Sequence, residues 1–358
     1  MKVTYACLMA LAFVRMPVPA GAQSIFEVAP TPNGHHGPRN DGLLAVSASS
    51  PSDIRAVGQT AIHFDGRAWA AGIVGIGTAS PNQVIERWDG AAWSVAPGPT
   101  FGAGRQPSIY GMTAVSATDI WAVGTMLVDN ENLEALFEHW DGAAQTAKTG
   151  AFHGFFRAVS ADADNDIWAV GYSGNDTFSE HYDGTGWTLV RTPNVGTGPN
   201  SLGGVVALAP DDVWAMGYST ASQKPPPNQY DVPTKTLIEH YDGTSWSVVP
   251  SPNVGPDSQY QSNRLLGVTA VSPNDTWAFG SYFAASGSEN QMTLLLHWDG
   301  TSWSLAASPQ SQARRLLGRH PLCRGGDYAG HLWIVGSEAP ATEGKPITAT
   351  LVLHTTGG

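Results

Sequence analysis

Residues 264–309 read RLLGVTAVSPNDTWAFG (264–280), SYFAASGSENQM (281–292) and TLLLHWDGTSWSLAASP (293–309). The run LLGVTAV is apolar and β-branched, and SPND is a turn string, so a first strand ends at a tight turn. Trp277, Ala278 and Phe279 form a second strand closed by Gly280. The next twelve residues, 281–292, are polar or small without helical period and read as a loop. TLLLHW is a third strand. Asp299-Gly300 is hairpin chemistry, because glycine takes the positive φ that a short turn needs. Trp303 opens a fourth strand that ends at Ser308-Pro309, and proline suits an outer sheet edge because it lacks a ladder donor. The stretch predicts one four-stranded antiparallel sheet.

Most of the chain repeats this pattern. The second-strand motif recurs as DIRAVG (53–58), DIWAVG (119–124), DIWAVG (166–171), DVWAMG (212–217), DTWAFG (275–280) and HLWIVG (331–336). The third-strand motif recurs as ERWDG (86–90), EHWDG (138–142), EHYDG (180–184), EHYDG (239–243) and LHWDG (296–300), with LHTTG at 353–357. Starts at Asp53, Asp119, Asp166, Asp212, Asp275 and His331 give steps of 66, 47, 46, 63 and 56 residues. A four-strand repeat of this length is the signature of a β-propeller.

The expected fold is all-β, a six-bladed β-propeller of four-stranded antiparallel blades. The N-terminal FEVAPTPN (26–33) resembles the fourth-strand segment WSVVPSPN (246–253), while the C-terminal segment has second and third strands and then stops. Phe26–Asn33 is therefore expected to complete the last blade and close the ring, which removes two bare sheet edges. The first blade has two registers: 43–58 matches 265–280, and 54–72 also matches 155–171. Residues 53–66 are too few for four strands, so one irregular blade is expected, with seven blades the lesser alternative. Residues 314–330, with Arg314, Arg315, Arg319 and Arg324, are either an insertion or decayed repeat.

Met1–Ala22 is expected to be a signal peptide: Lys2 gives the basic start, Tyr5–Val14 the apolar run and Ala20-Gly21-Ala22 the cleavage site. Residues 23–358 then form a single propeller domain, secreted or periplasmic and monomeric. The apolar run is too short to cross a bilayer, so no membrane insertion is expected. The net charge of −12, from 18 Lys+Arg against 30 Asp+Glu, disfavours nucleic acid as a partner. Cys323 would stand alone once Cys7 leaves with the leader, which excludes an internal disulfide and a cysteine-built zinc site.

In an antiparallel blade, turns between strands one and two and between three and four share one face. Here they are short: SPND, SATD, APDD and DGTSW. The opposite face carries loops of very different length, such as 217–240, and the connectors NVGTGPNS and NVGPDSQYQSNR. Such a face is either the binding face or a place where insertions are tolerated. The candidate ligand-binding residues belong to it: Arg157, Tyr110, His153, Tyr230, Asp257, Tyr260 and Arg264. Arg157 occupies the first-strand position read as Ala45, Gly111 and Gly267 in other repeats, so it points either to a ligand carboxylate or to an ion pair in the next blade.

The tryptophans are expected to pack blade on blade. His139, His181, His240 and His297 recur once per blade, which keeps them from meeting at one metal, and are read as hydrogen-bonding turn backbone. The turn aspartates (Asp89, Asp141, Asp183, Asp242, Asp299) read as hairpin caps. Asp162, Asp164 and Asp166 read as a solvated turn before a calcium loop. No metal or cofactor is expected, and the sequence names no catalytic residue.

The motif pair W-A-[VMF]-G and [WY]-D-G-x-x-W resembles the kelch and galactose-oxidase-type propellers over nearly all of 23–358. It has Ala-Val-Gly where kelch repeats have a double glycine. DGTSW is also similar to the Asp-box of sialidases, one residue shorter, without their arginine triad. The six-bladed fungal lectins share DG-x-x-W turns but carry repeated Arg/Glu sugar sites that are missing here. The resemblance implies a propeller and leaves two functions open: a non-enzymatic binder of glycan or protein on the variable face, or a polysaccharide hydrolase or lyase at the channel mouth.

Overall fold

A computed structural model describes most of residues 101–307, apart from 103, 117–118, 129–131, 151–152, 221–232, 256–261 and 284–290, and outside that span essentially only strand backbone. The described chain is all β. Four sheets of four antiparallel strands follow one another at 106–149, 155–190, 200–248 and 263–305, each with its strands in sequence order. A further four-stranded sheet joins Asp327–Tyr328, His331–Glu338 and Ala349–Thr355 to Phe26–Val28. In it Phe26 pairs with Thr355 and Val28 with Leu353, antiparallel.

The region 43–96 departs from the expected single irregular blade. It makes two three-stranded sheets, one from Leu43–Ser50, Asp53–Gly58 and Ile62–His63, the other from Trp69–Val74, Asn82–Trp88 and Trp93–Ala96. Each of the two competing registers anchors its own sheet. The first keeps strands one and two and shortens the third to two residues; the second begins at the Trp69 strand, with no earlier strand in that sheet among the described residues. The described residues thus hold seven sheets where six were expected. The expected start of the last blade near Leu316 lies outside the described residues, as do Cys323 and the arginines at 314–324.

The glycine of W-A-x-G is dictated by a bulge. In the 155–190 sheet Phe156 pairs with Gly171 and Ala158 with Val170, so Arg157 is an extra residue. The same skip leaves out Tyr110, Gly203 and Leu266 in the neighbouring sheets. A Cβ on Gly171 would lie 1.8 Å from the Phe155 carbonyl oxygen, so no side chain fits opposite the bulge. One residue further on, innermost strands of adjacent sheets approach backbone to backbone: a Cβ on Gly204 would lie 2.8 Å from the Gly267 Cα. That is why the position after the bulge holds Gly111, Ala158, Gly204 and Gly267.

Successive sheets are joined by tryptophans. Trp121, Trp168 and Trp214 of the second strands meet Trp187, Trp246 and Trp303 of the following sheet edge to face, at 5.5, 5.4 and 5.4 Å between centroids. Around them Val123, Phe137 and Phe156 fill one seam, and Leu202, Val205 and Leu237 the next. Each seam is a small apolar core, and burial of these rings supplies most of the sheet-to-sheet adhesion.

The motif histidines do not serve turn backbone, as the sequence suggested. The Nε2 atoms of His139, His181, His240 and His297 lie 2.8, 2.7, 2.8 and 2.8 Å from Oδ1 of Asp119, Asp166, Asp212 and Asp275, the residues that open the second strands. Each ring also lies against the motif tryptophan, as His139 does on Trp121 at 4.0 Å. The backbone register puts Trp and His side by side, and the carboxylate two residues before the Trp is the nearest acceptor. The turn aspartates do cap their hairpins: Asp183 Oδ1 accepts from the Thr185 and Gly186 amides at 2.8 and 3.0 Å, and Gly184 supplies the φ of +88°.

Candidate functional site

Topology places the first-strand start and second-strand end of every sheet on the face of the variable loops. The His–Asp–Trp groups lie at the opposite ends of the strands, beside the short turns. On the variable face an aromatic cluster surrounds Arg157. Its guanidinium carbon stands 4.7 Å from the centre of the Tyr110 ring, contributed by the preceding sheet, 5.4 Å from Tyr172 and 5.7 Å from Phe155. Phe155 and Tyr172 stack at 4.9 Å with 14° between planes. Arg157 Nη2 donates to the Tyr172 hydroxyl at 3.2 Å.

The bulge explains this geometry. An extra residue in the ladder loses its cross-strand partner and its side chain is re-aimed. Arg157 is that residue, so it corresponds to Tyr110, Gly203 and Leu266; the position of Ala45, Gly111 and Gly267 belongs to Ala158. Among the described residues Arg157 makes no inter-blade ion pair. Among the described residues its partners are aromatic rings and one hydroxyl.

A second arginine repeats the theme. Arg264, at the start of its sheet's first strand, holds its guanidinium carbon 4.8 Å from the ring centre of Tyr218, in the preceding sheet. Its Nε is buried without a hydrogen-bond partner among the described residues. Between the two arginines lies the 200–248 sheet, whose first strand presents small residues at the matching positions, Ser201 and Gly203.

Of the other expected residues, His153 is exposed beside the cluster, and its carbonyl accepts a short hydrogen bond from the Ser173 hydroxyl. Tyr230, Asp257 and Tyr260 lie outside the described residues. Phe155, Tyr172 and Tyr218 were not singled out, although the two tyrosines directly follow the W-A-x-G motif. Asp166, the last of the alternating aspartates, is buried and receives the Trp168 Nε1 proton at 3.0 Å, while Asp162 and Asp164 stay outside. Among the described residues no three His, Cys, Asp or Glu side chains gather as metal ligands would.

The glutamate of the E-H-[WY]-D-G motif is buried in the seams. Burial pushes the Glu239 carboxyl up to about 8, against a hydrogen bond from Thr177 that lowers it. That bond is weak: Thr177 Oγ1 is 3.5 Å from Glu239 Oε1, and its single proton also has Thr192 Oγ1, the Pro193 carbonyl and Asn194 Oδ1 within 2.9, 3.2 and 3.3 Å. Burial also raises Glu180 to about 7, with Lys148 opposing. These carboxyls sit between sheets and are held near neutrality by desolvation.

No family model matches the chain, and no curated protein matches it. Solved structures do. YCF48 bound to D1 peptide aligns over 96% of this chain and 100% of that one, at 12% identity and a TM-score of 0.51. A protein of unknown function from Dyadobacter fermentans aligns over 94% of this chain and 100% of that one, at 11% identity and a TM-score of 0.51. A Trypanosoma rangeli sialidase in complex with the inhibitor DANA aligns over 88% of this chain and 55% of that one, at 10% identity and a TM-score of 0.49. At such identities the likeness concerns fold alone: YCF48 is a β-propeller of four-stranded antiparallel sheets, and the present chain is similar to it in fold.

Proposed function

We propose that this protein is a non-enzymatic β-propeller that binds another protein on its variable-loop face. The observation that carries the reading is the cluster of Arg157 with Tyr110, Phe155 and Tyr172, assembled from two sheets at the variable-loop ends of their innermost strands. Half-exposed rings that hold a guanidinium form a rigid, amphipathic surface of the kind that dominates binding energy at protein interfaces. The solved propeller with a bound peptide is in keeping with this. A glycan is the lesser ligand, because Phe155 and Tyr172 stack on each other and so cover part of the ring surface a sugar would use. Hydrolysis has less support, since Glu180 and Glu239 are buried in the seams.

Three further parts belong to the same proposal. The sheets close into a ring, supported by the pairing of 26–28 with 353–355 and by seven sheets among the described residues. Residues 1–22 direct export, so that 23–358 act as one monomeric domain outside the cytoplasm. The repeats are kelch-like in their motifs.

The test presents the purified 23–358 protein to a peptide array and a glycan array and measures reducing-sugar release from polysaccharides. Peptide binding without sugar release is expected. Sugar release from a polysaccharide, with no retained ligand on the peptide array, overturns the proposal in favour of the hydrolase.

A further inference from the structure

Arg157 and Arg264 share three properties that a structural arginine does not need. Each leans on the ring of a tyrosine from the preceding sheet, Tyr110 and Tyr218 respectively. Each lies on the variable-loop side of an innermost strand. Among the described residues neither meets a carboxylate, although the chain carries 30 acidic side chains against 18 basic ones.

The chemistry left open at both sites is the same. A cation–π contact engages the charge of the guanidinium and does not use up its N–H donors. Arg157 commits one of them, through Nη2, to Tyr172. Arg264 has its Nε–H buried and unpartnered among the described residues, a group that costs free energy until an acceptor arrives. A planar anion with two oxygens answers that fork geometry, and a carboxylate is the commonest such group. The aromatic floors fix each guanidinium, so little rotamer entropy is lost on binding.

The sheet between them contributes small residues. Where the neighbours carry Arg157 and Leu266, its bulge residue is Gly203, half-buried, and where they carry Phe155 and Arg264 it has Ser201, which is buried. The inner rim therefore runs cation, small residues, cation.

We propose that this rim binds an acidic peptide segment, with one carboxylate at Arg157, one at Arg264 and the intervening backbone over Gly203. The inference rests on the protein-binding reading above and adds the ligand's chemical class. A peptide is favoured over an acidic glycan because a flexible backbone can set its two carboxylates to the spacing of the arginines.

The experiment uses the 23–358 protein and an array of random-sequence dodecapeptides spanning basic, neutral and acidic compositions, beside uronate-bearing and neutral oligosaccharides. Acidic peptides are expected to be selected. Their affinity should fall at least about tenfold in Arg157→Gln and in Arg264→Gln, the loss of roughly one charge-assisted hydrogen bond. It should weaken in high salt, and Arg157→Lys should recover part of the loss. Selection of peptides without regard to acidity, at wild-type strength in both variants, overturns this inference while leaving protein binding standing. Capture of uronate oligosaccharides alone overturns the peptide class. Silence on every array overturns the inference and the protein-binding reading together. If a variant fails to fold, the composition bias and salt response of the wild-type protein still decide.

Discussion

Replacing Glu239 with glutamine should make the protein less sensitive to alkaline pH. Glu239 is 0% exposed, its Oε2 has no partner among the described residues, and its one donor, Thr177, shares its proton among other acceptors. Its carboxyl is therefore raised from 4.5 to about 8 in the folded protein. A folded-state pKa above the unfolded value gives stability that is complete below the unfolded pKa and is lost as pH rises through the folded one. The window runs from about 4.5 to about 8. At roughly 1.4 kcal/mol per unit the loss between about pH 5 and pH 9 is on the order of 4 kcal/mol at most. Glutamine keeps the shape and an acceptor for Thr177 and cannot ionise. Urea unfolding followed by tryptophan fluorescence should show the wild-type midpoint falling across that window and the Glu239→Gln midpoint falling much less, so that the variant is the more stable at about pH 9. Parallel pH profiles for the two proteins would refute the reasoning, because they would mean that the carboxylate is solvated in the folded state.

Other outcomes follow from the same contacts. Trp168→Ala should cost about 3–5 kcal/mol in urea unfolding, since Trp168 joins two sheets. Gly171→Ala should unfold the protein or destabilise it severely, because its Cβ would overlap the Phe155 carbonyl at 1.8 Å, whereas Gly174→Ala, at a φ of +60° in open space, should cost only about 1 kcal/mol; thermal melts separate the two. Asp183→Ala should lower the melting temperature at neutral pH and matter less as the pH falls toward 2. The Asp183 carboxyl is held at about 2 by the Thr185 hydroxyl and the Thr185 and Gly186 amides, so its contribution exists above the unfolded pKa and disappears as acid protonates it. Deleting residues 23–30 should raise amide exchange in 349–355, whose partner strand is 26–28; unchanged exchange there would count against ring closure.

The four-stranded sheets and their hairpins were legible because each element has a strong local marker: a β-branched run, the W-A-x-G string, an Asp-Gly turn. The pairing of Phe26–Val28 with the last sheet was legible from the complementary ends. The two sheets of 43–96 were not, since a third strand of two residues, Ile62–His63, falls below any repeating pattern and the Trp69 sheet shows no first strand among the described residues. The role of Arg157 was misplaced by one residue because a bulge sets two residues against one, and linear alignment assumes equal counts. The His–Asp pairs were invisible for another reason: the partners are 15 to 28 residues apart and meet only through strand register. Tyr172 and Tyr218 were read past because their meaning depends on a cation from elsewhere, Arg157 across the ladder for one and Arg264 of the next sheet for the other.

The central claim is that the two ring-stacked arginines of the inner rim hold the ligand. It is tested most directly by measuring the affinity of an array-selected acidic peptide for the Arg157→Gln/Arg264→Gln double variant, with thermal melting recorded on the same samples. Loss of nearly all binding at an unchanged melting temperature is the predicted result. Wild-type affinity in a folded double variant would contradict the claim.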